Sequence, residues 1–471
     1  MTHLRGQWRF LLVCVVATAT LATACGSGDD PSATGEVDDV DLDSDSSDSG
    51  GEDTSDPATA EDASGDETEA DDSTTTEPLE LTDSFRGVTA TTIKVGVVAP
   101  DLEALQGLVD LDHGSYEAAY RALFEEVNAN GGINGREVEV VFEPFLPVGT
   151  EAMDTICARL TQDEEVFAVV GDLQNDGPLC YTELSDTAVV GSTQNDDRVA
   201  ASAAPWFSAF RNSDNVTETI IRGFDAEGIF DGETVGVVAG AADQDAVEAK
   251  ALPLLDELGV DVVDVAFIEA SPLDTVAAEA ETSLIAEKQE SEGVTLALAI
   301  GASSPIYAGG LEQVSYRPQV AATSLSSLRG YIRDRGGRDL SVLEGAVAGN
   351  TAEQLGWWDD PAVQDCIATV EAAGEPTILD PNTRLPDEPE NLVSVAAACR
   401  NIALFVAIAT AAGADLTNDT FRAAGEGLGE FHVPGLGPGT YSATTPDGRV
   451  PVYFFEWDAA IDDLSSDGTT L

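Results

Sequence analysis

Hydrophobic positions along the chain switch repeatedly between a period of two or a short buried run and a period near 3.6. Ile93-Lys94-Val95-Gly96-Val97-Val98 is a β-rich run that stops at Pro100. From Ser115 to Asn128, Tyr116, Ala119, Tyr120, Leu123, Phe124 and Val127 instead fall on one helical face. Asn130-Gly131-Gly132 then ends that helix with residues suited to left-handed backbone. Val138 to Phe142 predicts a strand, Glu151 to Leu160 a helix, and Val166 to Gly171 a buried strand. The rhythm restarts at Thr234 to Ala239, followed by a helix through Leu258-Gly259 and an extended stretch from Val260 to Ile268. Asp274 to Gln289 is then helical, and Thr295 to Ile300 and Gln319 to Ala322 are strands. Strands alternating with helices of about 10–15 residues indicate βαβ units and parallel sheets. The restart predicts two similar lobes, in keeping with a folded part of roughly 385 residues, too long for one ordinary core.

The first 25 residues have the order of an export signal. Arg5 and Arg9 precede an apolar run from Phe10 to Ala17, too short for a bilayer span of about 20 residues. Leu21-Ala22-Thr23-Ala24-Cys25 then reads as a lipobox, which makes Cys25 a lipidation site and anchors the chain to the outer face of the cytoplasmic membrane. Ala22-Thr23-Ala24 also suits ordinary cleavage and simple secretion. No later segment has the length and apolarity of a membrane span by this reading; the best, Ile402 to Ala412, has eleven residues.

Charge refines the picture. Gly26 to Ser84 carries 22 acidic residues and no Lys or Arg, so residues 26–90 read as an extended acidic linker that buries almost nothing. The remainder has 65 acidic residues against 19 Lys and Arg, and the chain's net charge is −66. Such a surface excludes nucleic acid, whose phosphates need basic patches, and disfavours an anionic lipid surface. Beyond Cys25 the mature chain has Cys157, Cys180, Cys366 and Cys399. An even count in an exported protein suggests two disulfides, with sequence neighbours pairing as 157–180 and 366–399. Metal ligation is the rival reading, but the spacings fit no zinc pattern and only His113 and His432 remain after processing. No cofactor is expected. G-x-S-x-G, P-loop and H-E-x-x-H patterns are absent, which argues against an enzyme.

Asn128-Ala129-Asn130-Gly131-Gly132-Ile133-Asn134-Gly135-Arg136, followed by a strand, resembles the type I periplasmic binding proteins. The resemblance is closest to the leucine/isoleucine/valine-binding branch of ABC-importer substrate-binding proteins. Ile93 to Pro100, Val169-Val170-Gly171 with the surrounding Cys157 and Cys180, Glu344-Gly345, and Pro434-Gly435-Leu436-Gly437-Pro438-Gly439 carry it further. It covers about residues 91–460. It implies α/β architecture, with two αβα lobes of parallel-type sheet joined by a three-stranded hinge. Lobe one would comprise 91–211 and 351–430, lobe two 212–350 and 431–471. It also implies a monomer that captures a small ligand by hinge closure and delivers it to ABC permease and ATPase subunits. A sensor of the same fold, signalling to a membrane receptor without transport, is the alternative.

Ligand residues follow from the strand ends, since open α/β sheets bind beyond the carboxyl ends of their strands. They are Gln174, Asn175 and Asp176 ahead of a helix N-terminus that favours an anion, and Ser192, Thr193 and Gln194 after the next strand. In the second lobe they are Ser303, Ser304, Tyr307, Thr323 and Ser324, with His113 and Trp357 completing the set. Asp243-Gln244-Asp245 stands where the resembled family commonly has Tyr-Gly. The amide and hydroxyl set suits a neutral polar ligand as well as an amino-acid-like one.

Overall fold

A computed structural model describes residues 81–470, apart from 103–111, 147–150, 175, 272–273, 334–336, 352–353, 382 and 385–387. Strands β1 (Thr92–Pro100), β2 (Glu137–Phe145), β3 (Ala168–Gly171), β4 (Ala188–Val190) and β5 (Trp206–Phe207) form one sheet. Its order is β2-β1-β3-β4-β5, and every pairing is parallel. Strands β6 (Thr234–Gly240), β7 (Asp261–Ile268), β8 (Leu296–Ala299), β9 (Gln319–Ala322) and β10 (Val347–Asn350) repeat that order as β7-β6-β8-β9-β10. Strands β11 (Gly429–Val433) and β12 (Gly437–Tyr441) make a separate antiparallel hairpin. Two further strands, β13 (Tyr453–Asp458) and β14 (Asp463–Ser465), extend the second sheet in antiparallel pairing beside β10.

The short central strands are apolar because both faces are covered. Val95 and Val97 pack with Tyr120 and Phe124 of the helix Tyr116–Ala129 and with Phe405 of the helix Leu392–Ala412. Val98 and Val169, on the opposite face, meet Met153, Ile156 and Leu160. In the second sheet, Val238 and Val320 pack with Tyr307 and Leu328, and Val237 and Leu298 with Ile220, Phe224 and Leu255. Each sheet therefore lies between two helical layers, which is the expected pair of αβα units.

The Asn128–Arg136 run clips three elements together. Gly131, Gly132, Asn134 and Gly135 all have positive φ, and a Cβ on Gly132 would fall 2.0 Å from the Arg136 carbonyl oxygen. Asn128 exchanges two hydrogen bonds with the Val138 backbone. The buried Arg136 donates Nε to the Thr89 carbonyl and Nη2 to those of Thr82 and Ala414.

The chain passes between the sheets after β5, after β10 and between β12 and β13. The first and third passages are bonded to each other. Ser208 N–H donates to the Pro446 carbonyl, Asn212 N–H to the buried Asp447 carboxylate at 2.7 Å, and Arg211 Nη1 to the Val450 carbonyl. Val433, Leu436, Tyr441 and Val450 are buried with the first sheet's helices, whereas the sequence placed the lobe boundary at 431. The hairpin is apolar on the face it turns to those helices, and only with β13 does the chain join the second sheet.

Two disulfides are present, Cys157–Cys180 and Cys366–Cys399. Both brace helices on the first sheet, and each contributes roughly 3–4 kcal/mol by closing a loop in the unfolded chain. The helix Leu392–Ala412 corrects the expectation that no later segment is long and apolar enough to cross a membrane. Among the described residues this one helix qualifies by length and composition, with 21 residues and a mean hydropathy of 2.0 over 18 of them. It is mostly buried, and its apolar length serves the core against β1 and β3.

Candidate functional site

The carboxyl ends of the first sheet's strands open onto a charged and aromatic cluster. Asp172 follows β3, Ser192 follows β4 in left-handed backbone (φ 61°), and the helix Leu392–Ala412 sends Arg400 and Asn401 toward them. Arg400 is 1 % exposed. Its Nε donates to the Ala396 carbonyl, whereas its buried Nη2 has no partner. The guanidinium lies 4.3 Å from the Trp357 ring centroid and 5.1 Å from that of Phe210, within cation–π range. Trp357 Nε1 is likewise buried without a partner. Asn401 Nδ2 donates to the Tyr120 hydroxyl and, at 3.4 Å, to Asp172.

Burial lowers Arg400 to about 10, with Asp172, Tyr120 and Tyr116 opposing the shift, so it remains charged at neutral pH. Burial pushes the half-buried Asp172 carboxyl up, against the pull of Arg400, Asn401 and the Ser192 N–H. Burial, and then the Asp172 charge, raises both Tyr116 and Tyr120, so both stay neutral donors.

A second feature belongs mainly to the second region. A cavity of about 610 Å³ is walled by the helix Ser213–Ala226, by residues 243–257 after β6, and by Ile300 and Gly301 after β8, with Asp196, at the start of the helix Asp196–Ala201, the one lining residue from the first region. Lys250 crosses it, 3.3 Å from Asp196 and 2.6 Å from Asp214. Burial raises the Asp243 carboxyl. Arg400 and its aromatic neighbours do not line this cavity.

Most residues expected to hold ligand are occupied otherwise. Ser192 Oγ accepts from the Leu173 N–H and donates to the Gly171 carbonyl. Gln194 Nε2 donates to the Trp206 carbonyl, although its buried Oε1 has no partner. Ser303 Oγ donates to the carbonyls of Ile300 and Val238. Thr323 Oγ1 accepts from the Gly301 N–H, and Ser324 Oγ from the Ser327 N–H at the start of the helix Leu325–Arg333. Tyr307 is a core residue whose hydroxyl donates to Gln289 Oε1 at 2.6 Å.

Asp176 is exposed and paired with Arg198, and the helix after it, Gly177–Thr182, is too short to supply the expected anion site. Thr193 is exposed, Gln174 is half-buried, and Asn175 lies outside the described residues, as does Cys25. Ser304 Oγ is buried without a partner. Trp357 and His113 join Ser192 at the cluster around Arg400: Trp357 stacks on it, and His113 Nδ1 shares a 3.0 Å hydrogen bond with the Tyr116 hydroxyl.

Arg400, Asn401 and Phe210, which meet at these strand ends, were not singled out in the sequence, and Asp243 was noted there only as standing in place of Tyr-Gly. The signal for Arg400 and Asn401 was present, as one cation and one amide inside a 21-residue apolar helix.

A family model described as periplasmic binding protein matches residues 92–463. The chain belongs to the periplasmic binding protein family. Its members bind substrates and are not enzymes, and they act outside the cytoplasm. Solved structures of similar fold include an ABC transporter substrate-binding protein from Desulfitobacterium hafniense in complex with Leu. It is 13 % identical with TM-score 0.55, over 80 % of this chain and 99 % of that one. A Rhodopseudomonas palustris solute-binding protein in complex with 4-hydroxybenzoate is 15 % identical at the same TM-score, over 80 % and 96 %. A fatty acid ABC transporter substrate-binding protein from Thermomonospora curvata is 16 % identical at TM-score 0.55, over 83 % and 95 %. No curated protein matches the chain. At these identities the likeness establishes the fold of this periplasmic binding protein and leaves its ligand to be argued from its own residues.

Proposed function

We propose that this protein is the extracytoplasmic solute-binding component of an ABC importer, capturing a small polar or amino-acid-like ligand between two lobes. Lobe one is built on β1–β5 with the helices of 361–426, and lobe two on β6–β10. Cys25 carries the lipid anchor, and residues 26–80 form the spacer above the membrane; residues 81–90, expected as part of that linker, are instead packed on the first sheet, with Val88 buried and the Thr82 and Thr89 carbonyls held by Arg136. The observation that supports the reading is the pair of like-ordered parallel sheets joined by three passages, with the buried Arg400 holding an unpartnered Nη2 at the first sheet's strand ends. A ligand seated against both sets of loops favours the closed arrangement by its differential contacts, and the three inter-sheet passages supply the hinge.

A thermal-shift screen of amino acids, amides, aromatic acids and sugars tests this. One class is expected to raise Tm with a dependence on concentration set by its affinity. No response from any class, or turnover of a substrate, overturns the reading. Co-purification with a permease and ATPase pair tests the importer role.

A further inference from the structure

Two buried arginines in this chain have opposite fates. Arg136 and Arg400 are each 1 % exposed. Arg136 directs Nε and Nη2 to three backbone carbonyls and is a structural clip. Arg400 satisfies Nε alone, through the Ala396 carbonyl one helical turn back, and leaves Nη2 buried without a partner. Leaving a buried donor unmade is costly, more so for a charged group, so a site that keeps one has an acceptor to meet.

We infer that Arg400 anchors the carboxylate of this protein's ligand, with Trp357 Nε1 as an accompanying donor. The inference rests on the solute-binding reading above and specifies the chemistry of what is bound. The faces of Trp357 and Phe210 lie against the guanidinium, and stacking uses its π surface while its N–H groups stay in plane. In-plane donors in a fixed fork match the two oxygens of a carboxylate, a geometry an ammonium or a hydroxyl cannot imitate. Asp172, which pulls on Arg400 electrostatically, forms no ion pair with it among the described residues and is held by Asn401 Nδ2. The acceptor that fits is therefore brought by a ligand. The strand-end hydroxyls Ser192, Ser303 and Thr323 are bonded to backbone and leave this duty to Arg400. The same rings provide an apolar wall for the ligand's body.

The test uses matched pairs in which the carboxylate is replaced by a neutral amide of the same shape: L-leucine with L-leucinamide, and 4-hydroxybenzoate with 4-hydroxybenzamide. Calorimetry on the purified chain is expected to show that at least one acid binds and that its amide binds 10-fold or more weakly. Arg400→Gln is expected to weaken that acid about 30-fold and Trp357→Phe a few-fold. Arg400→Lys, which keeps the charge and loses the fork, should fall between them with the acid still preferred over the amide. This variant decides the matter if Arg400→Gln fails to give a cooperative unfolding transition. Which pair responds tells whether the carboxylate belongs to an amino acid or to an aromatic acid. Equal binding of acid and amide, or acid binding untouched in Arg400→Gln and Arg400→Lys, overturns the inference. So does binding confined to a sugar or a neutral amide, which would leave the solute-binding reading standing.

Discussion

After β4 the first sheet places Ser192, whose hydroxyl braces the loop following β3; after β9 the second sheet places Thr323, whose hydroxyl braces the loop following β8. The strand orders are the same, and so is the use of a short hydroxyl residue at the same step. The regions part company in what lies over those loops. The first has a helix from far along the chain that brings Arg400 and Asn401, with Trp357 and Phe210 around them. In the second, Ser303, Tyr307 and Thr323 all have backbone or side-chain partners within their own region. Equivalent topology thus fixes the loops, while the unequal helical cover places a buried cation with an unpartnered donor on the first side.

The largest effect is expected at the glycines that close β3 and follow β8. A Cβ on Gly171 (φ 139°) would lie 2.1 Å from the Val98 carbonyl oxygen, whereas one on Gly301 (φ 63°) meets only the Asp243 carboxylate at 3.3 Å. Gly171→Ala should cost about 4 kcal/mol and Gly301→Ala about 1–2 kcal/mol in urea unfolding. Similar losses would mean that the two strand ends are built more alike than described.

Removing Cys157–Cys180 should cost roughly 3 kcal/mol. Hydrogen exchange after reduction should rise around the first sheet and stay unchanged at β6–β10, because both bridges lie in the first region.

Asp360 caps the helix Pro361–Ala372 and also accepts from the Gly435 N–H and His432 Nε2. Burial raises its pKa, but the Gly435 and Ala362 N–H groups and His432 together hold it below the ordinary carboxylate value. A depressed folded-state pKa contributes stability above the unfolded pKa, and that stability is lost as pH falls through the folded value. Asp360→Asn should therefore cost about 1–2 kcal/mol at pH 7 and nothing at a pH where the wild-type carboxyl is protonated. A pH series of melting curves checks this.

The smallest effect is expected at Lys250, whose pair with Asp196 links the two regions while its pair with Asp214 lies within the second. Lys250→Met should change stability by under about 1 kcal/mol, with the difference fading in added salt.

The fold was largely legible because its signals are local. Ile93 to Val98 is β1, Ser115 caps the helix Tyr116–Ala129 with its own side chain, and the Asn128–Arg136 glycines sit where positive φ is needed. The site was much less legible. Short hydroxyl residues after strands read as ligand contacts, yet the same positions supply donors and acceptors that hold neighbouring loops, as Ser192, Ser303 and Thr323 do. Arg400 meets Asp172 from 228 positions away in sequence, and no local pattern announces that juxtaposition. Trp357 was named among the ligand residues; its partner Arg400 was not.

The helix Leu392–Ala412 has a consequence for biogenesis. An exported chain threads through its secretion channel unfolded, before the sheet that will cover this helix exists. Twenty-one mostly apolar residues, reaching a mean hydropathy of 2.0 over 18 of them, would then be at risk of slipping sideways into the lipid and stopping there. Arg400, nine residues into the segment, opposes that with a penalty of roughly 3 kcal/mol near the bilayer centre, and Asn401 adds to it. The cation buried at the strand ends thereby also keeps the emerging segment moving toward the far side of the membrane.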